Sequence, residues 1–388
     1  FHLHQVPAMA QPQIAITGVT VFRTYLPVVS ERRQGTGRAA GQIEVLFVRL
    51  ATDAGFVGWG EAASGAAFPG AQAINYGALV GHLCPLLHGA DPFRIESLMG
   101  RVNKAVISAY EAKAAIEMAC FDIVGRALGV PVHVLLGGAV RTRIPLSFSI
   151  ANPDFDADLA MAKRLVADGI RLFKIKTGFA GHDEDLRRIE RLRAAVPDET
   201  ELRVDYNQGL LPAHALRQLR DLDGLGLGFI EQPVPRHAIS VMADLATALE
   251  TPIMADESVV SPEDAFRVAT AGAADIVGVK VMKGGMLKAR AVASIAEAAG
   301  LPCFGGDMAE SGLGHLAGTH LVAATPNVSL GCEFYQATYY LKEDILSQPF
   351  PVRDGHVHVP DGPGLGIAVD EDKVRRYATE TVEIKPAV

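Results

Sequence analysis

Charged residues recur at a nearly constant interval in the second half of the chain, each at the end of a short apolar segment. From Lys176 onward they stand 24 to 29 residues apart. One such residue is ordinary where a strand meets water, since most charged side chains are exposed. Charge at the same phase of every unit instead indicates a common site. The series is Lys174, Lys176, Asp205, Glu231, Asp256, Lys280, Asp307 and Glu333.

Three consecutive members of this series are acids, Asp205, Glu231 and Asp256. If they end adjacent parallel strands, which lie roughly 5 Å apart, their carboxylates converge on a small volume. Carboxylates that close repel one another unless a cation lies among them. An all-oxygen ligand set favours Mg²⁺, with Mn²⁺ as the second candidate. We therefore predict a divalent-metal site, with three independent salt bridges to Lys or Arg as the alternative.

Lysines stand on both sides of the acids, Lys176 before them and Lys280 after them. Lys174 is two residues from Lys176, so both side chains of a strand here point to the same face. We expect like charge and burial to lower their pKa from the ordinary value of about 10.4. A lysine brought toward neutrality is a competent general base. Alone, the Lys-Ile-Lys pattern is equally typical of an edge strand with one wet face.

These groups together indicate one class of reaction. A substrate carboxylate binds the metal, a lysine removes the α-proton, and the metal and the second lysine stabilise the enediolate. Two lysines on opposite faces permit inversion of a stereocentre, and equally addition or elimination at the β-carbon. A non-catalytic barrel that binds a carboxylated ligand is the alternative of another class, because a fold alone does not ensure activity.

The elements that must position these residues form a repeat. From about residue 143, eight apolar segments alternate with amphipathic helical segments at a period near 26 residues. This pattern predicts an α/β fold with a (β/α)8-type barrel, in which catalytic groups lie at the carboxyl ends of the strands. A doubly wound sheet is the rival, but no strand here leads into a Gly-rich phosphate loop. The expected strands are residues 144–149, 172–176, 202–206, 227–231, 252–256, 275–281, 302–306 and 327–331.

The segment before the barrel has a different texture. Residues 14–25, 44–50 and 56–60 are rich in strand-forming side chains, and a helix is expected over residues 110–128, ended by Gly129 and Pro131. We predict an N-terminal α+β domain over residues 12–137 and a barrel over residues 140–335. A C-terminal segment over residues 336–388 then packs back on the first domain. Residues 1–11 are interpreted as a tail.

Composition limits the possible functions. The 388 residues are 49% hydrophobic and 21% charged, which excludes a disordered chain or a coiled coil. A net charge of −8 disfavours sequence-independent binding of nucleic acid. No apolar run approaches the length of a membrane span. Four scattered cysteines form neither a disulfide framework nor a zinc motif, which favours a reducing cytoplasm.

The motifs at the strand ends resemble those of the enolase superfamily, specifically the muconate lactonizing enzyme subgroup of the mandelate racemase/muconate lactonizing enzyme family. The resemblance extends from about residue 14 to residue 384. It implies a modified TIM barrel with an N-terminal capping domain, whose loops at residues 28–41 and 62–70 close the barrel mouth. The matching motifs are Lys174-Ile175-Lys176, Val204-Asp205-Tyr206-Asn207, Ile230-Glu231-Gln232-Pro233, Asp256-Glu257-Ser258, Lys280 with Lys283-Gly284-Gly285, Glu310-Ser311-Gly312 and Pro363-Gly364-Leu365-Gly366.

The resemblance also implies roles for individual residues and an assembly state. The implied metal ligands are Asp205, Glu231 and Asp256, and the implied catalytic lysines are Lys176 and Lys280, with Lys174 tuning Lys176. Residues implied to orient these groups or to line the substrate pocket are Asn207, Glu257, Asp307, Met308, Glu310 and Glu333. Members of the family are commonly dimers or octamers, so a homo-oligomer is expected.

Four departures from the family pattern narrow the chemistry. Met286 follows Gly285 where a further glycine is usual, and Asp307 stands where many members have a neutral residue. Residues 302–310 contain no His, which disfavours the mandelate racemase and sugar-acid dehydratase branches. The Cys332-Glu333-Phe334 segment lacks the Asp-x-Asp pattern of the dipeptide epimerases.

Three products stay open for the expected substrate, a small-molecule carboxylate. They are a lactone from a muconate-type diacid, an inverted amino-acid derivative and, as an alternative, a dehydrated hydroxy acid. The first two use the same lysine pair. Arg32, Arg33 and Arg38 in the first capping loop could engage a second carboxylate. A solvated flexible loop explains the three arginines equally well.

Overall fold

The computed structural model describes residues 14–35, 37–39, 41–65 and 70–386. The tail predicted for residues 1–11 lies outside these ranges, as do short pieces of the two predicted capping loops. Within the described ranges, no helix is both long enough and apolar enough to cross a membrane.

The N-terminal region combines antiparallel strands with helices, as the sequence predicts. β1 pairs with β4 and β4 with β5, while β2 and β3 form a separate hairpin. The strands extend two or three residues beyond four of the six predicted ends, and the added parts include buried residues such as Leu26 and Ile43. β1 begins two residues and β5 one residue later than predicted. The elements are β1 (Ile16–Pro27), β2 (Arg32–Gln34), β3 (Gly37–Ala39), β4 (Gln42–Thr52), β5 (Val57–Ala63), α1 (Ala71–Ala78), α2 (Ile95–Ala105), α3 (Tyr110–Leu128) and α4 (Val132–Leu135).

Helix α3 is the centre of this region and packs directly on β5. Its observed bounds are the predicted ones, and it ends where Gly129 takes a left-handed φ of 69°. Two glycines of β5 let the helix approach. A Cβ on Gly60 would lie 1.8 Å from the Ala115 carbonyl oxygen, and one on Gly58 would lie 2.2 Å from that of Ala119. The strand therefore needs glycine at both positions.

The barrel predicted from the repeat is confirmed. Eight strands, β7 to β14, lie parallel in sequential order, and a parallel bridge between Leu146 and Cys332 joins the first to the last. Strand β6 (Arg143–Pro145) precedes the barrel, whose eight strands are β7 (Ser147–Ile150), β8 (Leu172–Lys176), β9 (Glu201–Asp205), β10 (Ile230–Glu231), β11 (Ile253–Ala255), β12 (Ile276–Val279), β13 (Cys303–Gly305) and β14 (Val328–Cys332). The helices between them are α5 (Phe155–Ala167), α6 (His182–Ala195), α7 (Pro212–Arg220), α8 (Ile239–Ala248), α9 (Pro262–Thr270), α10 (Met286–Ala298) and α11 (Gly312–Ala324).

After β14 the chain returns to the N-terminal sheet. Its elements are α12 (Gln336–Tyr339), β15 (Val352–Arg353), β16 (His356–His358), α13 (Glu371–Tyr377) and β17 (Ala378–Glu383). β17 pairs antiparallel with β1, with Val382 opposite Val21. β16 pairs with β6, so the segment predicted as one first barrel strand is two strands, of which only β7 belongs to the barrel.

Two buried acids of the N-terminal region hold the first turns of two barrel helices. Glu61 on β5 accepts hydrogen bonds from the backbone nitrogens of Ser311 and Gly314, at 2.7 and 2.8 Å. Glu117 on α3 accepts from the backbone nitrogen of Met286, at the start of α10. A carboxyl oxygen at a helix N-terminus satisfies backbone N–H groups that have no partner within the helix. The two regions are thus joined directly behind the strand ends.

All four cysteines are buried free thiols, in agreement with the prediction that they form no disulfide framework.

Candidate active site

The carboxyl ends of neighbouring barrel strands bring the predicted acids and lysines together. Asp205 and Glu231 end β9 and β10 and are paired in register, and Asp256 directly follows β11. Lys176 ends β8 opposite Asp205, and Lys280 directly follows β12. All three acids are buried. Five consecutive strands therefore supply one charged cluster.

Each acid of the cluster is paired with a lysine. Lys174 Nζ lies 2.6 Å from a Glu231 oxygen, Lys176 Nζ 2.5 Å from an Asp205 oxygen, and Lys280 Nζ 2.7 Å from an Asp256 oxygen. Among the residues that the structure describes, no three acidic, His or Cys side chains are grouped closely enough to hold one metal ion. The acids are held by salt bridges to lysines, as in the alternative raised above, but these salt bridges are not independent, because Lys174 contacts both Glu231 and Asp205. The metal site stays a prediction.

The chemistry of the acids nevertheless fits a hard divalent cation. Burial, together with the negative charge of Asp205, raises the pKa of Glu231 even though Lys174 opposes the shift. Asp205 lies 3.5 Å from the same Lys174 ammonium, so two acids share one cation. Buried carboxylates that repel one another and offer only oxygen donors suit Mg²⁺ or Mn²⁺.

The lowered pKa expected for Lys174 is wrong. Burial alone would lower the pKa of this lysine, but the carboxylates of Glu231, Glu333 and Asp205 together raise it well above its ordinary value. Lys174 Nζ lies 2.6 Å from oxygens of both Glu231 and Glu333. The prediction considered the like charge of Lys176 and omitted the opposite charges from three other strands. Lys174 is therefore a fixed ammonium.

Lys176 and Lys280 lie on the two sides of the cluster. Lys176 contacts the first acid in strand order and Lys280 the third, and both line one open cleft. Burial opposes the charge on Lys280, but Asp256, Glu231 and Glu257 outweigh it and raise its pKa. The cleft therefore has a primary amine on either flank.

Lys283 was part of a sequence motif without an assigned role, and the structure places it beneath Lys280. Its Nζ donates to the Asp256 side chain and to the Asp256 carbonyl oxygen, both at 2.7 Å. Burial lowers the pKa of Lys283. Burial would raise the pKa of Asp256, but Lys280 and Lys283 reverse that effect and hold it below its usual value. A short 3₁₀ turn, Val281–Lys283, brings both amines to one carboxylate.

Asn207 and Gln232 form hydrogen bonds with residues of the cluster, and both have an unusual backbone conformation. Both residues have positive φ, 41° and 33°, in the region that non-glycine residues rarely occupy. Asn207 accepts from Lys176 Nζ at 3.0 Å and donates to Glu257 at 3.1 Å. The Gln232 side-chain oxygen accepts from the backbone nitrogens of Asp256 and Ser258, both at 3.0 Å. Strained backbone of this kind is found mainly at functional sites, where it fixes the direction of a side chain.

The remaining predicted site residues fall into two groups. Glu257, Asp307, Met308 and Glu333 line the cleft beside the lysines. Glu310 does not line it, because its carboxylate turns back to accept from the backbone nitrogen of Met308 at 3.1 Å. It is buried behind the strand ends, close to Asp307.

A histidine lies behind the end of the seventh barrel strand, although residues 302–310 contain none. His315 Nε2 is 3.6 Å from an Asp307 oxygen, and its ring packs between Phe334 and Phe350. His315 is fully buried and does not line the cleft. It therefore does not replace the cleft-facing His of the mandelate racemase branch.

Sequence reasoning did not assign Gln336 and Tyr340, which line the cleft, or Ser149 beside it, and it left Arg32 undecided. Ser149 on β7 donates to Glu333, and Gln336 and Tyr340 lie just beyond Glu333. The strand-end rule selected charged residues only, so neutral polar side chains at the same ends were passed over. Arg32 of the first capping loop lines the cleft, whereas Arg33 and Arg38 pair with Glu31 outside it.

Models of known protein families match most of the chain. Residues 24–137 match the family model "Mandelate racemase / muconate lactonizing enzyme, N-terminal domain", and residues 157–373 match "Enolase C-terminal domain-like". Muconate cycloisomerase 1-1 of Acinetobacter lwoffii is 34% identical over 363 residues, which cover 92% of this chain and 94% of that one.

Solved structures of two activities are similar to the chain. The muconate lactonizing enzyme of Pseudomonas fluorescens, solved with muconolactone, has a TM-score of 0.90 at 35% identity and covers 94% of this chain and 100% of its own. The N-succinyl Arg/Lys racemase of Bacillus cereus has a TM-score of 0.90 at 30% identity and covers 96% of this chain and 100% of its own.

Proposed function

The chain belongs to the mandelate racemase/muconate lactonizing enzyme family and is an isomerase of the enolase superfamily, and from that premise we propose that it moves the α-proton of a dicarboxylate in a cycloisomerase reaction. The named relatives support lactone formation from a muconate-type diacid as the first candidate. In that reaction one carboxylate oxygen adds to the conjugated double bond while a proton reaches the carbon α to the other carboxylate. The reverse reaction removes that proton and breaks the carbon–oxygen bond.

One observation carries the proposal: Lys176 and Lys280 line the same cleft from opposite sides of three buried acids. A lysine on one face of the substrate can deliver or remove the α-proton as general acid or base. The lysine on the other face holds its proton and stabilises the negative charge of the enediolate. Lys174, fixed between Glu231 and Glu333, keeps those carboxylates in place beside Lys176.

Members of this family depend on a divalent metal ion, and we infer that Asp205, Glu231 and Asp256 hold it here. Mg²⁺ is the first candidate and Mn²⁺ the second, since all the donors are carboxylate oxygens. A divalent ion at these acids supplies the positive charge that favours the enediolate form of the substrate. With an ion bound there, Asp205 and Asp256 would give up their contacts with Lys176 and Lys280, which would leave these two amines free to face the substrate. Lys174 would stay between Glu231 and Glu333.

Inversion of an N-acylated amino acid is a second candidate, favoured by the similarity to the N-succinyl Arg/Lys racemase. The same two lysines serve it, one removing the α-proton and the other returning it on the opposite face. Dehydration of a hydroxy acid has less support, because the one His near the seventh strand end, His315, is buried away from the cleft.

The test is a substrate panel with Mg²⁺ or Mn²⁺. Loss of the diene absorbance of cis,cis-muconate reports lactone formation, and NMR in D₂O reports α-proton exchange in muconolactone and in N-succinyl amino acids. The proposal expects turnover of muconate or a related diacid. Exchange in N-succinyl amino acids without any lactone formation would favour the second candidate. Absence of metal-dependent exchange in every compound would contradict both.

A further inference from the structure

The end of the cleft over β7 and β14 carries polar groups that the α-proton chemistry does not use. We propose that Arg32, Gln336 and Tyr340 form a subsite for a second carboxylate, so that the substrates are linear dicarboxylates held at both ends. This inference rests on the proposed function, because it assigns the far end of a substrate whose near end is held at the acids and lysines.

Arg32 is placed in the cleft by its strand. The β2 hairpin is fixed to the barrel through backbone, since the nitrogen of Arg33 donates to the Ala151 carbonyl oxygen at 2.8 Å. The Arg32 guanidinium lies 5.1 Å from the ring centres of both Tyr335 and Tyr340, and one of its nitrogens donates to the Ser149 carbonyl oxygen. The hairpin is therefore docked by the Arg33 backbone as well as by the Arg32 side chain.

Charge distinguishes Arg32 from its neighbours. Lys174, Lys176 and Lys280, the other cations that line the cleft, each contact at least one carboxylate. Among the residues described by the structure, no carboxylate lies within 4.0 Å of the Arg32 side chain. Glu333 is the nearby acid of the cleft and is already bonded to Lys174 and Ser149. The guanidinium therefore has a charge and several N–H donors available to a ligand.

The other two arginines of the loop do not share this position. The Arg33 and Arg38 side chains are 46% and 63% exposed, and both lie near Glu31. The sequence left all three arginines as candidates for a second carboxylate. The structure leaves only Arg32 facing the cleft.

Two neutral side chains beside Arg32 point to the same ligand. Tyr340 and Gln336 line the cleft, are 3% and 4% exposed, and have a hydroxyl and an amide oxygen without a hydrogen-bond partner among the described residues. Buried polar atoms are normally paired, so unpaired ones at a cleft wall indicate a group supplied from outside. The two atoms of a Gln amide are interchangeable by rotation, so Gln336 can present its NH₂. A guanidinium, a phenol and an amide together match a carboxylate.

The position of the subsite fixes the shape of the ligand. The three acids and Lys280 lie at the carboxyl ends of β9 to β12. Ser149, which contacts Arg32, lies on β7, and Gln336 lies in α12 after β14. A ligand that reaches both must carry its anionic groups at separate ends. Muconate-type diacids and N-succinyl amino acids meet this requirement, and monocarboxylates do not.

The experiment compares two ligands that differ only at the far end, adipate and hexanoate. Calorimetric titration with Mg²⁺ present should show that the enzyme binds adipate about 10- to 100-fold more tightly than hexanoate. Arg32→Gln should reduce that ratio to near one, and Tyr340→Phe should reduce it by a smaller factor. Arg33→Gln is the matched control and should retain the ratio. Thermal unfolding of each variant confirms that it is folded.

Several results would overturn the subsite. Equal binding of adipate and hexanoate, or no measurable binding of adipate, contradicts it. A uniform loss of affinity for both ligands in Arg32→Gln assigns Arg32 to loop structure instead. The proposed function fails separately: a high adipate ratio that depends on Arg32, without metal-dependent proton exchange in any diacid, keeps the subsite and rejects the cycloisomerase reaction.

Discussion

Glu117, on the central helix of the N-terminal region, accepts a hydrogen bond from the backbone nitrogen of Met286 at the first turn of barrel helix α10. The same carboxylate explains the glycine before that helix, since a Cβ on Gly285 would lie 2.3 Å from it. The contact joins the capping region to the strand–helix unit that carries Lys280. Its environment has a measurable consequence for stability.

Burial raises the pKa of Glu117 from 4.5 to about 8. The folded protein therefore binds this proton more tightly than the unfolded chain does. Glu117 makes its full contribution to the free energy of unfolding below pH 4.5. That contribution is lost as the pH rises toward 8, at up to about 1.4 kcal/mol per pH unit. In denaturant titrations from pH 5 to 8, Glu117→Gln should remove that component of the slope. Glu297→Gln, an exposed change on helix α10, should leave it. Identical slopes for Glu117→Gln and the parent protein would contradict the prediction.

The two lysines should have separable effects on proton exchange. If the enzyme inverts N-succinyl amino acids, the second candidate reaction, Lys176→Ala should abolish α-proton exchange of one enantiomer in D₂O and Lys280→Ala that of the other. Each loss should reach about 10²- to 10⁴-fold, the usual contribution of a general acid or base. NMR follows both enantiomers, and the exposed Lys163→Ala serves as control. Equal residual exchange of both enantiomers in each variant would count against one base on each face.

Removal of one acid should weaken the proposed metal site directly. Glu231→Gln keeps the shape of the side chain and removes its charge, so Mn²⁺ affinity measured by electron paramagnetic resonance should fall by about 100-fold or more, above the effect usual for outer-shell partners. Glu250→Gln makes the same chemical change at an exposed position and should leave the affinity unaltered. Unchanged Mn²⁺ binding in Glu231→Gln would show that the ion is held elsewhere.

The contact between β5 and α3 should tolerate no added methyl group. Gly60→Ala places a Cβ 1.8 Å from the Ala115 carbonyl oxygen, and relief of that clash by backbone movement should destabilise the fold by about 3 kcal/mol or more. Gly77→Ala, in helix α1 with nothing within 4 Å of the added Cβ, should instead stabilise it by about 0.5–1 kcal/mol. Thermal unfolding measures both. A Gly60→Ala protein as stable as its parent would mean that the packing is looser than described.

The barrel and the location of the site were predictable because both follow from one-dimensional regularities. Apolar segments at a constant period predict strands, and charge at a constant phase predicts the strand ends where Asp205, Glu231 and Asp256 lie. The bounds of the first barrel strand were harder to predict. Residues 144–149 read as one apolar segment, but the chain divides there between β6 and β7 because β16 captures the first part.

What the sequence could not supply was the set of neighbours of each charge. The sequence predicts a low pKa for Lys174 because Lys176 is close, but the carboxylates of Glu231 and Glu333, from two other strands, raise that pKa instead. Arg32 could not be separated from Arg33 and Arg38, because which arginine turns inward depends on how the hairpin docks. Gln336 and Tyr340 carry no charge, so the periodic signal that found Glu333 gave no reason to select them.

Strand β17 borders β1, a partner more than 350 residues earlier in the chain. During synthesis, β1 and β4 can pair early, but the outer edge of β1 keeps its backbone groups unpaired until residues 378–383 have left the ribosome. An unpaired edge invites pairing with other chains, so the nascent protein passes through a long interval of exposure to aggregation. Because β17 is made long after the other strands of this sheet, the final closure of the sheet is a late event in biogenesis.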